Sequence, residues 1–178
     1  GTASADVGAR LQDATIAITN KVPLRAADIA RLPALKMVAV AATGTDNVDL
    51  AACRERGIVV SNIRNYSLVS VPEHVFTLIL ALRRNLLAYS ADVAAGRWQA
   101  QERFCLLDHP IRDLAGSRLG IVGYGALGHK VAHLARAFGM QVFVTSRSTV
   151  ADPGVTALPL PELLGTCDIV SLHLPLND

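Results

Sequence analysis

Along the chain, short runs of β-branched and aliphatic residues alternate with stretches whose apolar positions recur every three or four residues. "TIAITN" (Thr15 to Asn20), "KMVAVAA" (Lys36 to Ala42) and "GIVVSN" (Gly57 to Asn62) predict strands. Leu24 to Arg31 and Val48 to Arg56 predict short helices between them. Strand and helix in alternation is the signature of a parallel α/β sheet, because each parallel crossover needs a connecting helix. The register changes at Ser70. "SVPE" has capping-box spacing, in which serine and glutamate side chains each satisfy a free amide of the first turn, and Pro72 is tolerated there. Helical spacing then runs through Val75, Leu78, Ile79, Leu82, Leu86, Tyr89 and Val93 to Gly96, which predicts one helix of about six turns. A second stripe, Phe76, Leu80 and Leu87, predicts that this helix is buried on two sides, one of them against another domain or subunit. Residues 97–115 show no period and are expected to cross a surface or an interface.

From Ser117 the pattern is strand, glycine turn, helix, strand. "RLGIVG" and "QVFVTS" are the strands, Leu127, Val131, Leu134, Ala135 and Phe138 make one helical face, and Gly139 stops the helix. A turn at Asp152-Pro153-Gly154, a short helix near Pro161 to Leu164 and a strand "DIVSLHL" follow. The expected domains are residues 1–69 and 70–178.

Composition narrows the class. The 178 residues suffice for one good core or two small domains. A net charge of +2 with scattered basic residues argues against a nucleic-acid partner. No apolar run reaches the roughly 20 residues that span a bilayer, so no membrane partner is expected. Cys53, Cys105 and Cys167 lie outside any C-x-x-C spacing, which favours reduced thiols and a cytoplasmic location. With no initiator methionine and an abrupt end at Asn177-Asp178, the chain reads as an excerpt of a longer protein.

The candidate chemistry begins at "GYGALG". G-x-G-x-x-G alone is a weak signal, but here it closes a strand and opens a helix within a unit of about thirty residues. Gly123 permits a tight turn, Gly125 leaves room for a pyrophosphate against bare backbone, and Gly128 lets helix and strand pack closely. The helix mouth adds free amides and a favourable dipole. This is a dinucleotide-binding reading. In such units an acid at the end of the second strand accepts hydrogen bonds from both ribose hydroxyls of NAD. Here Ser146 stands at that position, followed by Arg147 and Ser148. Serine cannot repel the 2′-phosphate of NADP, and Arg147 can neutralise and hydrogen-bond it. The expectation is NADP(H) as the preferred cofactor, with NAD(H) the alternative, and with hydroxyl contacts from Ser148 and Thr145.

The stretches "ATGTDNVDLAACRERGIVVSN" (Ala42 to Asn62), "VPEHVFTLILALRRN" (Val71 to Asn85), "GRW" (Gly96 to Trp98), "GIVGYGALG" (Gly120 to Gly128) and "VSLHLPL" (Val170 to Leu176) together resemble the D-isomer-specific 2-hydroxyacid dehydrogenases. "NIRNYSLVSVPEH" is most similar to the glycerate dehydrogenase/hydroxypyruvate reductase branch. The resemblance implies an enzyme with a Rossmann-like doubly wound parallel sheet and a flavodoxin-like substrate domain, both partial here, the latter lacking its first strand. It implies a homodimer joined through the helix starting near Ser70. Thr43 and Gly44 would lie at the substrate and nicotinamide, their amides holding the substrate carboxylate. Ala126 and Leu127 would give amides to the pyrophosphate, and Leu174 and Pro175 would border the cofactor. The implied reaction moves a hydride from nicotinamide C4 to the keto carbon of a small 2-keto acid, of the glyoxylate or hydroxypyruvate class. The family's catalytic arginine, glutamate and histidine lie beyond the equivalent of Asp178, so no catalytic residue is assigned and the segment alone is expected to be inactive. His129 and His133 are four apart but lack a third ligand, so no metal is expected and both read as solvated. His173 and His74 read as structural. Rival readings are a non-catalytic dinucleotide-sensing corepressor and a formate- or phosphite-type dehydrogenase on the same scaffold.

Overall fold

The structure, a computed structural model, describes residues 2–174. It divides into two compact units, one ending at Tyr66 and the other beginning at Ser67. In the first, a short helix α1 (Val7–Arg10) leads to β1 (Ile16–Thr19), α2 (Ala26–Ala30), β2 (Met37–Val40), α3 (Leu50–Glu55) and β3 (Val59–Asn62). The three strands are parallel in the order β1-β2-β3, with Ile16 opposite Met37 and Met37 opposite Val59. Leu24, Ile29, Leu32, Val38, Val40 and Cys53 form its core. Asp49 caps α3 by accepting a hydrogen bond from the Ala52 amide at 2.9 Å.

The second unit contains α4 (Ser70–Arg83), α5 (Leu86–Ala94), β4 (Arg118–Val122), α6 (Ala126–Ala137), β5 (Gln141–Thr145), β6 (Thr156–Ala157), α7 (Leu160–Thr166) and β7 (Ile169–Leu172). Its sheet is parallel in the order β6-β5-β4-β7. The last four residues of β4 are all buried, because a central parallel strand is covered on both faces. Leu119, Ile121, Val131, Ala132, Ala135 and Val144 form the core, and Phe76 of α4 stacks on Phe138 with centroids 5.1 Å apart. Among the described residues no helix is long and apolar enough to cross a membrane.

Two local expectations are corrected. The six-turn helix is two helices, because Asn85 adopts the left-handed conformation (φ 49°, ψ 40°) between α4 and α5. Asparagine tolerates that region, and its side-chain amide donates to the Pro110 carbonyl. The capping box at Ser70 does not form: no side chain caps α4. The chain enters through a turn over residues 66–69, and the amides of Val71 and Glu73 donate to the carbonyls of Ser67 and Val69, both at 3.1 Å. Phe76 and Ile79 face the core, while Leu78, Leu82, Leu86 and Leu87 are exposed. The aperiodic residues 97–115 are held by polar bonds to α5. Buried Asp92 accepts from Arg97 at 2.7 Å and lies 2.8 Å from His109 Nε2, and the Tyr89 hydroxyl donates to the His109 carbonyl at 2.7 Å.

At the entry ends of β4 and β7, Asp168 accepts from the Arg118 amide at 2.9 Å and from its guanidinium at 3.0 and 3.2 Å. The guanidinium first, then the amide, hold the Asp168 carboxyl down to about 2. A carboxyl depressed in the folded state contributes stability above its unfolded value, roughly 3.9, and loses it as pH falls through the folded value. Asp168→Asn should therefore lower the melting temperature at pH 7, with the gap to the parent closing between about pH 4 and pH 2. Thermal melts across that range check this; a gap constant with pH would refute the linkage.

Candidate functional site

The chain leaves β4 at the point where the sheet reverses direction. It winds outward through β5 and β6, then returns across the sheet to place β7 on the other side of β4. Open α/β sheets form a crevice at such a switch point, beyond the carboxyl ends of the strands. Gly123 begins the turn there with φ 96°, and its amide donates to the Thr145 carbonyl at 2.9 Å. A Cβ on Gly123 would collide with the His173 carbonyl and come 2.8 Å from Leu174. A Cβ on Gly128 would strike the Gly123 carbonyl oxygen. A Cβ on Gly125, by contrast, would meet nothing within 4 Å and would project into open space. Two glycines thus let backbone pack on backbone, and the middle one keeps the mouth of α6 clear.

No side chain caps α6 at Gly125. Among the described residues, the amides of Ala126 and Leu127 donate to no acceptor. Bare amides at a positive helix end, with no Cβ in front, suit a pyrophosphate. Leu174, exposed after β7, borders the turn, whereas Pro175 lies outside the described residues.

The exit of β5 opens onto a cavity of about 280 Å³ lined by Tyr124, His129, Ser146, Ser148, Asp152 and residues 149–151. The structure therefore brings Ser146 and Ser148 together, and the Ser148 amide donates to Ser146 Oγ at 3.2 Å. Arg147 is exposed and forms no hydrogen bond or ion pair among the described residues. Thr145, expected to add a hydroxyl, ends β5 and does not line the cavity.

Three lining residues escaped sequence reasoning. Tyr124 donates its hydroxyl to Asp152 Oδ2 at 2.7 Å, and Asp152 Oδ1 accepts from Arg136 at 3.1 Å and from the Gly154 amide at 2.8 Å. Burial, then the Asp152 carboxylate, push the Tyr124 phenol up to about 12. The Tyr124 hydroxyl and the Gly154 amide hold Asp152 below the usual carboxylate range. His129 is not simply solvated. Its ring stacks on Tyr124 with centroids 3.9 Å apart, and Nδ1 lies 3.0 Å from the Gly125 carbonyl. No local pattern marks these residues, because Asp152 lies 28 positions beyond Tyr124 and only the fold joins them.

In the first unit, the Thr43-Gly44 turn follows β2. Thr43 donates its hydroxyl to the Ile63 carbonyl at 3.0 Å, and the Asn62 side chain donates to the Thr43 carbonyl at 2.7 Å. Asn62, unremarked in the sequence, is thus a clamp on the turn from the end of β3. Among the described residues the amides of Thr43 and Gly44 donate to no acceptor, which leaves them free for an anion.

His173 follows β7, with its amide donating to the Val122 carbonyl at 2.8 Å and Nε2 2.9 Å from Ser171 Oγ. Burial pushes its imidazole down, toward the neutral form. Among the described residues no three histidine, cysteine or acidic side chains gather as a metal site.

Comparison with known proteins places this geometry. Residues 76–178 match the family described as "D-isomer specific 2-hydroxyacid dehydrogenase, NAD binding domain". The chain is 49% identical over 168 residues to a glycerate dehydrogenase of Methylorubrum extorquens, covering 94% of this chain and 52% of the relative. It superposes with a TM-score of 0.87 and 27% identity on an acyclic imino acid reductase in complex with NADPH and D-Arg, covering 99% of this chain and 56% of that one. With the D-lactate dehydrogenase of Aquifex aeolicus complexed with NAD and lactic acid the TM-score is 0.84 and the identity 30%, covering 96% and 51%. The chain spans about half the length of the curated relatives it matches.

Proposed function

The chain belongs to the D-isomer specific 2-hydroxyacid dehydrogenase family, and we propose that the protein containing it reduces a small 2-keto acid, of the glyoxylate or hydroxypyruvate class, to the D-2-hydroxy acid. The observation that carries the reading is the α6 mouth, where Gly125 faces open space and the Ala126 and Leu127 amides lack acceptors. A bound, reduced nicotinamide dinucleotide supplies the hydride. The residues of this chain bind and orient. Ala126 and Leu127 donate to the pyrophosphate across Gly123, Gly125 and Gly128. Ser146, Arg147 and Ser148 receive the adenosine end and favour NADP(H), and Leu174 borders the cofactor. Thr43 and Gly44, held by Asn62, offer amides to the substrate carboxylate. Proton transfer and polarisation of the keto group fall to residues outside these 178.

The named relative acts on glycerate, and the two structural neighbours hold NADPH and NAD respectively, which supports a nicotinamide dinucleotide and a small hydroxy acid. Exposed Leu78, Leu82, Leu86 and Leu87 on α4 and α5 support a homodimer through these helices. The test is oxidation of NADPH and NADH by the full-length protein with glyoxylate, hydroxypyruvate and pyruvate. Turnover of glyoxylate or hydroxypyruvate, faster with NADPH, is the expected result. Tight dinucleotide binding without turnover of any 2-keto acid would replace the enzyme with a sensor, and turnover of formate or phosphite alone would replace its substrate.

A further inference from the structure

We propose that His129 reads the 2′-phosphate of the adenosine end, and that binding this phosphate draws one proton from solvent onto its Nε2. The inference rests on the NADP(H) reading above. The cavity at the exit of β5 is walled from three directions: Tyr124 on the glycine turn, His129 on the first turn of α6, and residues 146–152 after β5. Ser146, Ser148 and Thr149 are among the lining residues, together with His129.

The tautomer follows from one contact. A carbonyl oxygen only accepts, so His129 Nδ1, 3.0 Å from the Gly125 carbonyl, carries the hydrogen. Nε2 forms no hydrogen bond among the described residues. In a neutral ring so oriented, Nε2 bears a lone pair. A phosphate dianion also only accepts, and it engages Nε2 only once that nitrogen has gained a proton. The N–H bond forms at the expense of a water or buffer acid, and no electron is transferred. The imidazolium then donates from both nitrogens, to the Gly125 carbonyl and to the phosphate, with the Tyr124 face stacked against it as a cation–π partner.

The one other charged lining residue is an anion, Asp152, whose charge is offset by its ion pair with Arg136. Both its oxygens are occupied, by Tyr124 on one side and by Arg136 and the Gly154 amide on the other. The Tyr124 proton is committed to Asp152, so the phenol offers no donor to a ligand. On α6 itself Lys130 and His133 are exposed neighbours, and Arg147, exposed and flanked by the lining residues Ser146 and Ser148 but not itself among them, is the permanent positive charge of that loop. An adenosine without the 2′-phosphate presents hydroxyls, which engage the Nε2 lone pair with no proton uptake.

Titration calorimetry on the full-length protein at slightly alkaline pH, in buffers of differing ionisation enthalpy, tests this with adenosine 2′,5′-bisphosphate against adenosine 5′-monophosphate. The bisphosphate is expected to bind about tenfold or more tighter, with uptake approaching one proton, while the monophosphate takes up none. His129→Gln should abolish the uptake, because an amide donates without protonation, and should keep part of the preference. His129→Ala should abolish the uptake and most of the preference, while cooperative thermal melts show that the protein still folds without the Tyr124 stack. Uptake persisting in His129→Gln, or full preference in His129→Ala, overturns the role of His129 and leaves the cofactor reading standing. Equal affinity of the unaltered protein for both nucleotides overturns the NADP(H) reading, and this inference with it.

Discussion

Replacing Gly125 with alanine should leave the protein folded and weaken dinucleotide binding by about 100-fold, whereas replacing Gly128 with alanine should destabilise the second unit itself. The two glycines stand three residues apart in one motif, yet a methyl group meets different surroundings at each. At Gly128 it strikes the Gly123 carbonyl oxygen, with the Gly123 carbonyl carbon and Ile121 Cγ2 both at 3.3 Å. The nearest obstacle is main chain rather than the far end of a flexible side chain, so relief requires the backbone itself to shift. Overpacking of this kind costs roughly 1–3 kcal/mol, and a fall in melting temperature of several degrees should accompany it. At Gly125 the methyl group has no neighbour within 4 Å, and the backbone there is extended in a region open to any residue. The added carbon would occupy the space through which a pyrophosphate approaches the Ala126 and Leu127 amides. Melting curves and calorimetric titration with NADPH, run on both variants, separate the two roles. Tight binding by Gly125→Ala would show that the phosphates do not lie against this turn, and the dinucleotide reading would fall.

The elements that could be read from the sequence are those that obey one physical period over their whole length. Among the described residues, six of the seven strands were marked by runs rich in β-branched and aliphatic residues, which suit the extended, pleated backbone. The seventh, β6, joins β5 through two residue pairs only, too short to leave a pattern. The division of the helix at Asn85 left no trace, since the apolar spacing of Leu82 and Leu86 continues across a single left-handed residue. "SVPE" carried the right spacing for a capping box, but the preceding turn supplies backbone carbonyls in place of side chains. The glycine turn was legible because each glycine answers a local steric demand. The cavity wall was not: Tyr124, His129 and Asp152 meet through a stack and a hydrogen bond that exist only after β4, α6 and the loop following β5 have assembled. Asn62 escaped for the same reason, its partner Thr43 lying 19 residues earlier on the neighbouring strand's exit.

Placing a carboxylate at position 146 should reverse cofactor choice. Ser146 Oγ accepts the Ser148 amide at 3.2 Å, a bond that an aspartate oxygen can equally accept, so Ser146→Asp should preserve the loop. Its second oxygen would then stand in the cavity beside the hydroxyls of Ser148 and Thr149. Toward a ribose diol that oxygen is an acceptor for both hydroxyls; toward a 2′-phosphate it is a like charge at contact range. Arg147 would turn from the phosphate to the new carboxylate, which removes the attraction as well as adding the repulsion. Because the cavity is open to solvent, screening limits each effect, and together they should change the ratio of kcat/KM for NADPH over NADH by about 100-fold. The sign matters more than the size. The change should come as a raised KM for NADPH and a lowered KM for NADH, with kcat nearly constant, since position 146 touches the end of the cofactor remote from the reacting carbon. A rise in both KM values together would mean that the loop had collapsed. An unchanged ratio would mean that the adenosine end does not reach this cavity, in which case Arg147 is a solvated residue at a strand end and the preference for NADP(H) has no structural basis.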